Sequence, residues 1–246
     1  MNKIFISHSK EQKETFVKPL LFELKSLNME TWFDKFNIFM GEDIFQTIHN
    51  GIMQSKYFVV VISKDFLSKE WPKEELKTAL KIYHHKSTNS EIRKIFPIYY
   101  DINTNDVEKF FPELKDIAYE RFDNQKPIAR YAERIVSSII YDQLQHFKAN
   151  TLEKITENYK KDTFLHSLLK DIQYLKNHLE KYLNIKITLK YLKTFYLTNP
   201  VIDYYFNIVE QLFQYTKNQN SITDDQMLII ENSLVLILNL IKTKVN

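Results

Sequence analysis

Over the first 147 residues, short apolar segments alternate with stretches whose apolar residues recur every three or four positions. The short segments predict five strands, at about 3–7, 29–33, 57–62, 94–100 and 117–122. The helical spacing predicts helices at about 16–27, 41–54, 71–86 and 126–147. Pro19 falls inside the first helix and is expected to kink it or force a local adjustment. This strand–helix alternation predicts an α/β fold with a parallel sheet covered on both faces.

After about residue 148 the β-branched runs end and only helical spacing continues, including segments at 187–196, 200–215 and 223–242. Pro200 stands where a helix should begin, with Thr198 or Asn199 available as its cap. We therefore predict an α/β domain over 1–147 and an all-helical domain over 148–246. The stretch 227–241 is apolar nearly all round, which predicts burial either in its own helical bundle or in an oligomer interface.

Composition excludes several classes of function. The chain has no cysteine, which rules out disulfide scaffolds, thiolate zinc sites and a cysteine nucleophile. Its two glycines, Gly41 and Gly51, cannot form the Rossmann or Walker phosphate-binding loops. His84 and His85 lack the spacing of a helical metal pair, so no metal site is expected. A net charge of +3, with lysines that look scattered after residue 148, does not indicate nucleic-acid binding.

Targeting and membrane segments are not evident in the sequence. The N-terminal apolar run is only three residues long, too short for the core of a signal peptide. The stretch 227–241 is interrupted by Glu231 and is shorter than the roughly 18–20 residues that span a bilayer. The expectation is a cytoplasmic protein without membrane association.

Five motifs follow one another in the first 76 residues and together use both glycines. They are Ile4-Phe5-Ile6-Ser7-His8-Ser9, Trp32-Phe33-Asp34 followed by Gly41-Glu42, Ile48-His49-Asn50-Gly51-Ile52-Met53-Gln54-Ser55, Val59-Val60-Val61-Ile62-Ser63 and Ser68-Lys69-Glu70-Trp71-Pro72-Lys73-Glu74-Glu75-Leu76. In this order they resemble the first strand, the second strand with its BB loop, the following helix, the third strand and the next helix of a TIR (Toll/interleukin-1 receptor) domain. The resemblance covers most of residues 1–147 and implies a flavodoxin-like fold.

TIR domains comprise scaffolds that only assemble and enzymes that cleave NAD+ at the nicotinamide–ribose bond. The enzymes carry a glutamate four residues after a tryptophan on the helix after the third strand, and Trp71 and Glu75 have that spacing. The resemblance therefore implies that Glu75 is catalytic. It also implies substrate-binding roles at the strand tips and the BB loop, for Ser7, His8, Ser9, Asp34, Ile38, Gly41 and Trp71.

Each assignment has a structural alternative. Glu75 could be a surface charge, Trp71 a packing residue, and His8 a cap of its turn. Glu74 points to another side of the helix and is expected to pair with Lys73 or Lys77. The resemblance also implies that protomers stack, so that the BB loop of one completes the site of the next. Three apolar residues of that loop are candidates for the contact, Phe36, Phe39 and Met40.

One carboxylate is sufficient for this reaction on chemical grounds. Ordinary glycosidases need a second carboxyl group as a general acid, because an alkoxide is a poor leaving group. The nicotinamide of NAD+ is already cationic and departs neutral, so it needs no proton. An anionic glutamate beside the ribose would stabilise the oxocarbenium ion that develops there.

The leading hypothesis is an NAD+ hydrolase that yields nicotinamide and either ADP-ribose or a cyclic ADP-ribose isomer, with NAD+ as substrate and no further cofactor. The resemblance implies a role in bacterial anti-phage defence, self-association through TIR domains, and an effector or activator protein as partner. The helical domain would then regulate the enzyme or drive its assembly. The alternative is a non-enzymatic TIR scaffold or mimic that acts through TIR–TIR interactions.

Overall fold

The computed structural model describes residues 3–33, 40–85, 92–196, 199–216 and 221–245. Contacts between residues divide the chain into two compact units, Met1–Ala132 and Glu133–Asn246. The division falls inside one helix, Ile128–Leu144. The predicted domain boundary near residues 147–151 stays a prediction.

The first unit contains the five-stranded parallel sheet that the sequence predicts. Its strands are β1 (Ile4–Ser7), β2 (Thr31–Trp32), β3 (Tyr57–Ile62), β4 (Lys94–Tyr99) and β5 (Glu120–Arg121). They lie in the order β2-β1-β3-β4-β5, with every pair parallel. This is the flavodoxin-like order, in which the direction of winding changes between β1 and β3 and ligands collect beyond the carboxyl ends of the strands. Every residue of β3 is buried, as its unbroken apolar run predicts.

Helices cover the sheet of the first unit. They are α1 (Lys18–Ser26), α2 (Ile44–Met53), α3 (Lys64–Ser68), α4 (Glu70–His85) and α5 (Thr104–Phe110); the helix inside which the division falls is α6 (Ile128–Leu144). The short helices α3 and α5 were not predicted. Ser63 caps α3, because its hydroxyl accepts a hydrogen bond from the amide of Phe66.

Pro19 produces the local adjustment that was expected. A π-helical turn, Lys13–Val17, precedes α1, and Pro19 lies in the first turn of α1. In that turn the missing proline amide costs no helical hydrogen bond, since the first amides of a helix have no partner within it.

Helix α2 begins three residues later than predicted. Gly41 has φ +93°, outside the helical region, and the Asp43 side chain caps α2 by accepting from the amide of Gln46. Of its apolar residues at helical spacing, Ile48 and Ile52 are buried, whereas Ile44 and Phe45 are exposed.

Gly51 allows α2 to lie directly on the sheet. A Cβ atom added to Gly51 would stand 2.5 Å from the Trp32 indole, closer than any real contact. Trp32 is 4% exposed and stacks on Phe5 at 4.6 Å between ring centroids, so it is a core residue. The close approach of helix and sheet therefore depends on the absence of a side chain at residue 51.

The second unit is helical in all its described regular structure, as predicted. After α6 come α7 (Leu152–Thr156), α8 (Thr163–Tyr174), α9 (His178–Phe195), α10 (Pro200–Thr216) and α11 (Asp224–Val245). Asn199 caps α10 by accepting from the amides of Val201 and Ile202. Among the described residues, one segment, Asp224–Thr243, is long and apolar enough to cross a membrane, but 67% of it is buried inside the protein. That degree of burial is typical of a core helix.

Candidate functional site

An open cleft of about 510 Å³ lies between α2 and α4 in the first unit. Its volume is within the usual range for small-molecule sites. The buried residues Ile48 and Ile52 line it from α2, and Trp71, Glu75 and Thr78 line it from α4. These positions follow helical spacing, because residues three and four apart share one face of a helix.

Glu75 is fixed to the end of strand β1. The hydroxyl of Ser7, the last residue of β1, donates a hydrogen bond of 2.6 Å to Oε2 of Glu75. Ser7 is completely buried and Glu75 is half-buried, so the carboxylate lies where the strand tip meets the cleft. Charge-assisted hydrogen bonds of this kind are about twice as strong as neutral ones. The bond explains how a carboxylate is held in one position in the cleft wall.

The other carboxylates of the cleft differ from Glu75 in their partners. Glu70 pairs with Lys73 at 2.7 Å, and Glu74 pairs with Lys77 at 2.6 Å. The predicted pairing of Glu74 is thus confirmed. Hydrogen bonds and the charge of Lys73 hold the pKa of Glu70 below its usual range. Glu70 and Glu74 are therefore solvent-facing partners of lysines, whereas Glu75 is directed toward the sheet.

Trp71 is half-buried and forms an aromatic pair with Phe45 across the cleft. Their ring centroids are 4.3 Å apart, and the planes meet at 62° in an edge-to-face arrangement. Edge-to-face aromatic pairs contribute about 0.5–1.5 kcal/mol of stabilisation beyond the free energy gained by burying the surface of the rings. Trp71 therefore both packs against the core of the first unit and presents a surface to the cleft.

The remaining predicted site residues have different environments. His8 is half-buried and stacks on Phe33 at 5.3 Å. Ser9 is only 1% exposed, and its hydroxyl contacts Gln12 and Ser63 in a buried polar network that supports the cap of α3. Gly41 is exposed with a positive φ, whereas Asp34 and Ile38 lie outside the described residues. Substrate roles for these residues stay predictions.

Sequence reasoning missed the α2 side of the cleft. Phe45 and His49 line it and stand four residues apart on α2, facing the Trp71–Glu75 stripe of α4. That spacing was the available signal, but nothing in the sequence states which helices will face each other.

The charge of the cleft is negative. Asp43, Glu70, Glu74 and Glu75 line it, and within the described part of the lining there is no lysine or arginine. Lys73 and Lys77 offset Glu70 and Glu74 from outside the lining, which leaves the charges of Asp43 and Glu75. No group of three or more metal-ligating side chains exists among the residues that the structure describes. The cleft is thus suited to a positively charged ligand group rather than to a phosphate.

Comparison with known proteins places these features in a family. The family model described as "TIR domain" matches residues 4–136. A "2' cyclic ADP-D-ribose synthase AbTIR" of Acinetobacter baumannii is 39% identical over 115 residues, which are 46% of this chain and 40% of that protein.

Two further relatives match this chain over similar fractions of their lengths. An "NAD(+) hydrolase TcpC" of Escherichia coli O6:H1 is 34% identical over 46% of this chain and 35% of its own length. An "NAD(+) hydrolase PdTIR" of Paracoccus denitrificans is 33% identical over 46% of this chain and 36% of its own length. The matching region thus spans less than half the length of these curated relatives.

Proposed function

The chain belongs to the TIR domain family, and we propose that it cleaves the nicotinamide–ribose bond of NAD+ with Glu75 as the catalytic group. The observation that carries the proposal is the position of Glu75, four residues after Trp71, in the cleft wall and hydrogen-bonded to the tip of β1. The names of the relatives, which are NAD+ hydrolases and cyclic ADP-ribose synthases, support the same reaction class.

The charge of the cleft supports one orientation of the substrate. The nicotinamide ring of NAD+ is cationic, and the diphosphate is anionic. Lys73 and Lys77 offset the charges of Glu70 and Glu74, and the carboxylates of Asp43 and Glu75 favour the nicotinamide riboside end in the cleft and disfavour the diphosphate there. Trp71 and Phe45 provide ring surfaces against which a planar nicotinamide can pack.

The proposed chemistry needs no acid catalyst. The bond from ribose C1′ to the pyridinium nitrogen breaks, and nicotinamide leaves as a neutral molecule with the electron pair. Glu75 stabilises the positive charge on the ribose. Water then adds its oxygen to C1′ and releases one proton, or a nucleophile in the same molecule, such as the adenine ring, closes a cyclic product.

Self-association is the second part of the proposal. The diphosphate must be held by groups outside the described cleft lining, and a neighbouring protomer is a source of such groups. An exposed apolar surface adjoins the cleft: Met40 and Phe45 are fully or largely exposed, and Ile44 is 52% exposed. We infer that copies of the chain contact one another through this surface.

Release of nicotinamide by the purified protein, assayed at high concentration, tests the catalytic role. Glu75→Gln should lower the rate by about 10²–10³, because one preorganised electrostatic group is lost. Glu74→Gln should have a small effect, since Glu74 pairs with Lys77 at the surface. Glu113→Gln, an exposed glutamate outside the cleft, is the matched control. Equal rates for wild type and Glu75→Gln would remove Glu75 from the mechanism.

The dependence of specific activity on protein concentration tests self-association. Specific activity should rise with concentration for wild type and rise less for Ile44→Ser. Phe22→Ser replaces an exposed aromatic residue on α1 and should behave as wild type. Specific activity that does not change with concentration would contradict the proposal.

A role in anti-phage defence is proposed from the family resemblance alone. Cells that produce wild-type protein should lose NAD+ and resist phage infection, and cells with Glu75→Gln should do neither. Resistance that persists in the Glu75→Gln strain would separate defence from NAD+ cleavage and favour the scaffold alternative.

A further inference from the structure

A second cavity of about 480 Å³ lies in the second unit, between α9 and α10. Four buried residues form its floor: Tyr182 and Leu189 on α9, and Phe206 and Phe213 on α10. The cavity is large enough for a small organic molecule.

Lysines form one side of this groove, in contrast to the scattered distribution that the sequence suggests. Lys186, Lys190 and Lys193 follow one another along one face of α9 and all line the groove. Glu210 on α10 is the one carboxylate among the described lining residues, and it forms an ion pair with Lys193. Within the part of the chain that the structure describes, Lys186 and Lys190 have no carboxylate partner. The groove therefore carries a net charge of +2, from three lysines and one glutamate.

Phenyl rings of the floor hold two of these ammonium groups. Nζ of Lys193 lies 4.9 Å from the centroid of Phe206, and Nζ of Lys186 lies 5.7 Å from that of Phe213. Phe213 is itself held edge-to-face by Tyr182 at 4.6 Å. Each cation–π contact contributes about 0.5–1 kcal/mol at an exposed site. The positive charges are thus partly positioned before any ligand arrives, which lowers the entropy cost of binding.

We propose that this groove binds a small phosphorylated organic molecule of nucleotide size. Its phosphate groups contact Lys186 and Lys190, and its apolar part covers Leu189 and the aromatic floor. A bare inorganic anion would leave the apolar floor exposed to water. A neutral ring compound would make no use of the exposed ammonium groups of Lys186 and Lys190. This inference is independent of the chemistry in the cleft of the first unit.

Lysine acetylation of the full-length chain, read by mass spectrometry at each lysine, tests the proposal locally. The test compounds are ADP, inorganic pyrophosphate and adenosine. ADP should slow acetylation of Lys186 and Lys190 by about fourfold at three times its dissociation constant. Pyrophosphate should protect less at the same concentration, and adenosine should not protect. Lys170, exposed on α8 outside the groove, is the internal control and should react at an unchanged rate.

Three results would overturn the proposal. The first is no protection of Lys186 and Lys190 by millimolar ADP, and the second is equal protection of Lys170. The third is equal protection by pyrophosphate and ADP, which would indicate a bare anion site. Because the readout is at the groove lysines, ADP bound in the cleft of the first unit does not affect the conclusion.

A charge-reversal variant completes the test. Lys190→Glu should abolish the protection of Lys186 by ADP, while Lys170→Glu, with the same change in net charge, should leave it intact. Lys190 is exposed, so the fold is not expected to change, and circular dichroism checks this. Unchanged protection of Lys186 in Lys190→Glu would contradict the proposal.

Discussion

The two units contain cavities of nearly equal volume and opposite charge. The cleft of the first unit measures about 510 Å³ and is lined by four carboxylates, whereas the groove of the second unit measures about 480 Å³ and is lined by three lysines and one glutamate. Both lie between two helices and both contain aromatic rings. The volumes of the two cavities therefore do not indicate different ligands, whereas the charges of their lining residues do.

The two cavities also differ in how their charges are held. In the cleft, Glu75 receives a hydrogen bond from Ser7 at the end of a buried strand. In the groove, Lys186 and Lys193 lie over phenyl rings of the neighbouring helix. A strand tip gives a fixed position, which suits stabilisation of a transition state. Cation–π contacts position the lysines only in part, which is sufficient for binding.

The largest expected effect on stability concerns the wall of the cleft. Gly51→Ala should lower the free energy of unfolding by about 1–3 kcal/mol, because its Cβ meets the Trp32 indole at 2.5 Å. Helix propensity alone would favour alanine by about 1 kcal/mol, so a loss reports the clash. Urea denaturation measures it, with Asn50→Ala on the exposed side of α2 as control. A Gly51→Ala protein as stable as wild type would show that α2 does not depend on this close approach.

The hydrogen bond between Ser7 and Glu75 should have the next largest effect. Ser7→Ala should lower kcat for nicotinamide release about tenfold with little change in KM, since about 1.4 kcal/mol of positioning is lost. Ser26→Ala removes a hydroxyl whose hydrogen bond lies on the exposed side of α1 and is the matched control. An unchanged kcat in Ser7→Ala would mean that the strand tip does not position the carboxylate.

A smaller effect is expected at the start of α10, which forms one side of the groove. Asn199→Ala should destabilise the protein by about 1 kcal/mol, because the amides of Val201 and Ile202 lose their acceptor. Urea denaturation measures the loss. Asn199→Asp retains an acceptor oxygen and should be near wild type; a loss as large as that of Asn199→Ala would contradict the capping role.

The smallest effect is a pH dependence of the second unit. Burial raises the pKa of Asp162, but hydrogen bonds from the Leu165 amide and from the hydroxyls of Tyr196 and Tyr191 outweigh it, so the pKa lies below its ordinary value of 3.8. The folded state thus binds fewer protons than the unfolded state. This contribution to stability is present above pH 3.8 and is lost as the pH falls through the folded-state pKa.

Thermal unfolding at pH values between neutrality and acid tests this dependence. Asp162→Asn should flatten the decrease in stability at acid pH. An identical acid profile for wild type and Asp162→Asn would show that Asp162 does not contribute to it.

Sequence patterns predicted most of the fold because burial has a regular period. The continuous apolar run of β3 and the helical spacing of α4 were placed within one residue of the structure. The predicted start of α2 is three residues too early. Gly41 adopts a positive φ, which is not helical, and Asp43 is the N-cap of the helix rather than a residue within it. Short helices such as α3 were not predicted, because five residues are too few for a helical spacing of apolar residues to be recognised.

The candidate site was predicted only on one side. Trp71 and Glu75 lie on one helix at a spacing that sequence can show. Contacts between distant parts of the chain, such as Ser7 with Glu75 or Phe45 with Trp71, depend on how the elements pack. Lys186, Lys190 and Lys193 have a helical spacing that the sequence does show, but the aromatic floor contributed by α10 is evident only in the structure.

We propose that Glu75 stabilises the transition state more than it stabilises bound NAD+. Single-turnover rates of nicotinamide release and the dissociation constant of NAD+, measured together for wild type and Glu75→Gln, test it most directly. The rate of Glu75→Gln should be lower by about 10²–10³, with a dissociation constant changed by less than about tenfold. A rate within about twofold of wild type, or a loss found entirely in the dissociation constant, would contradict it.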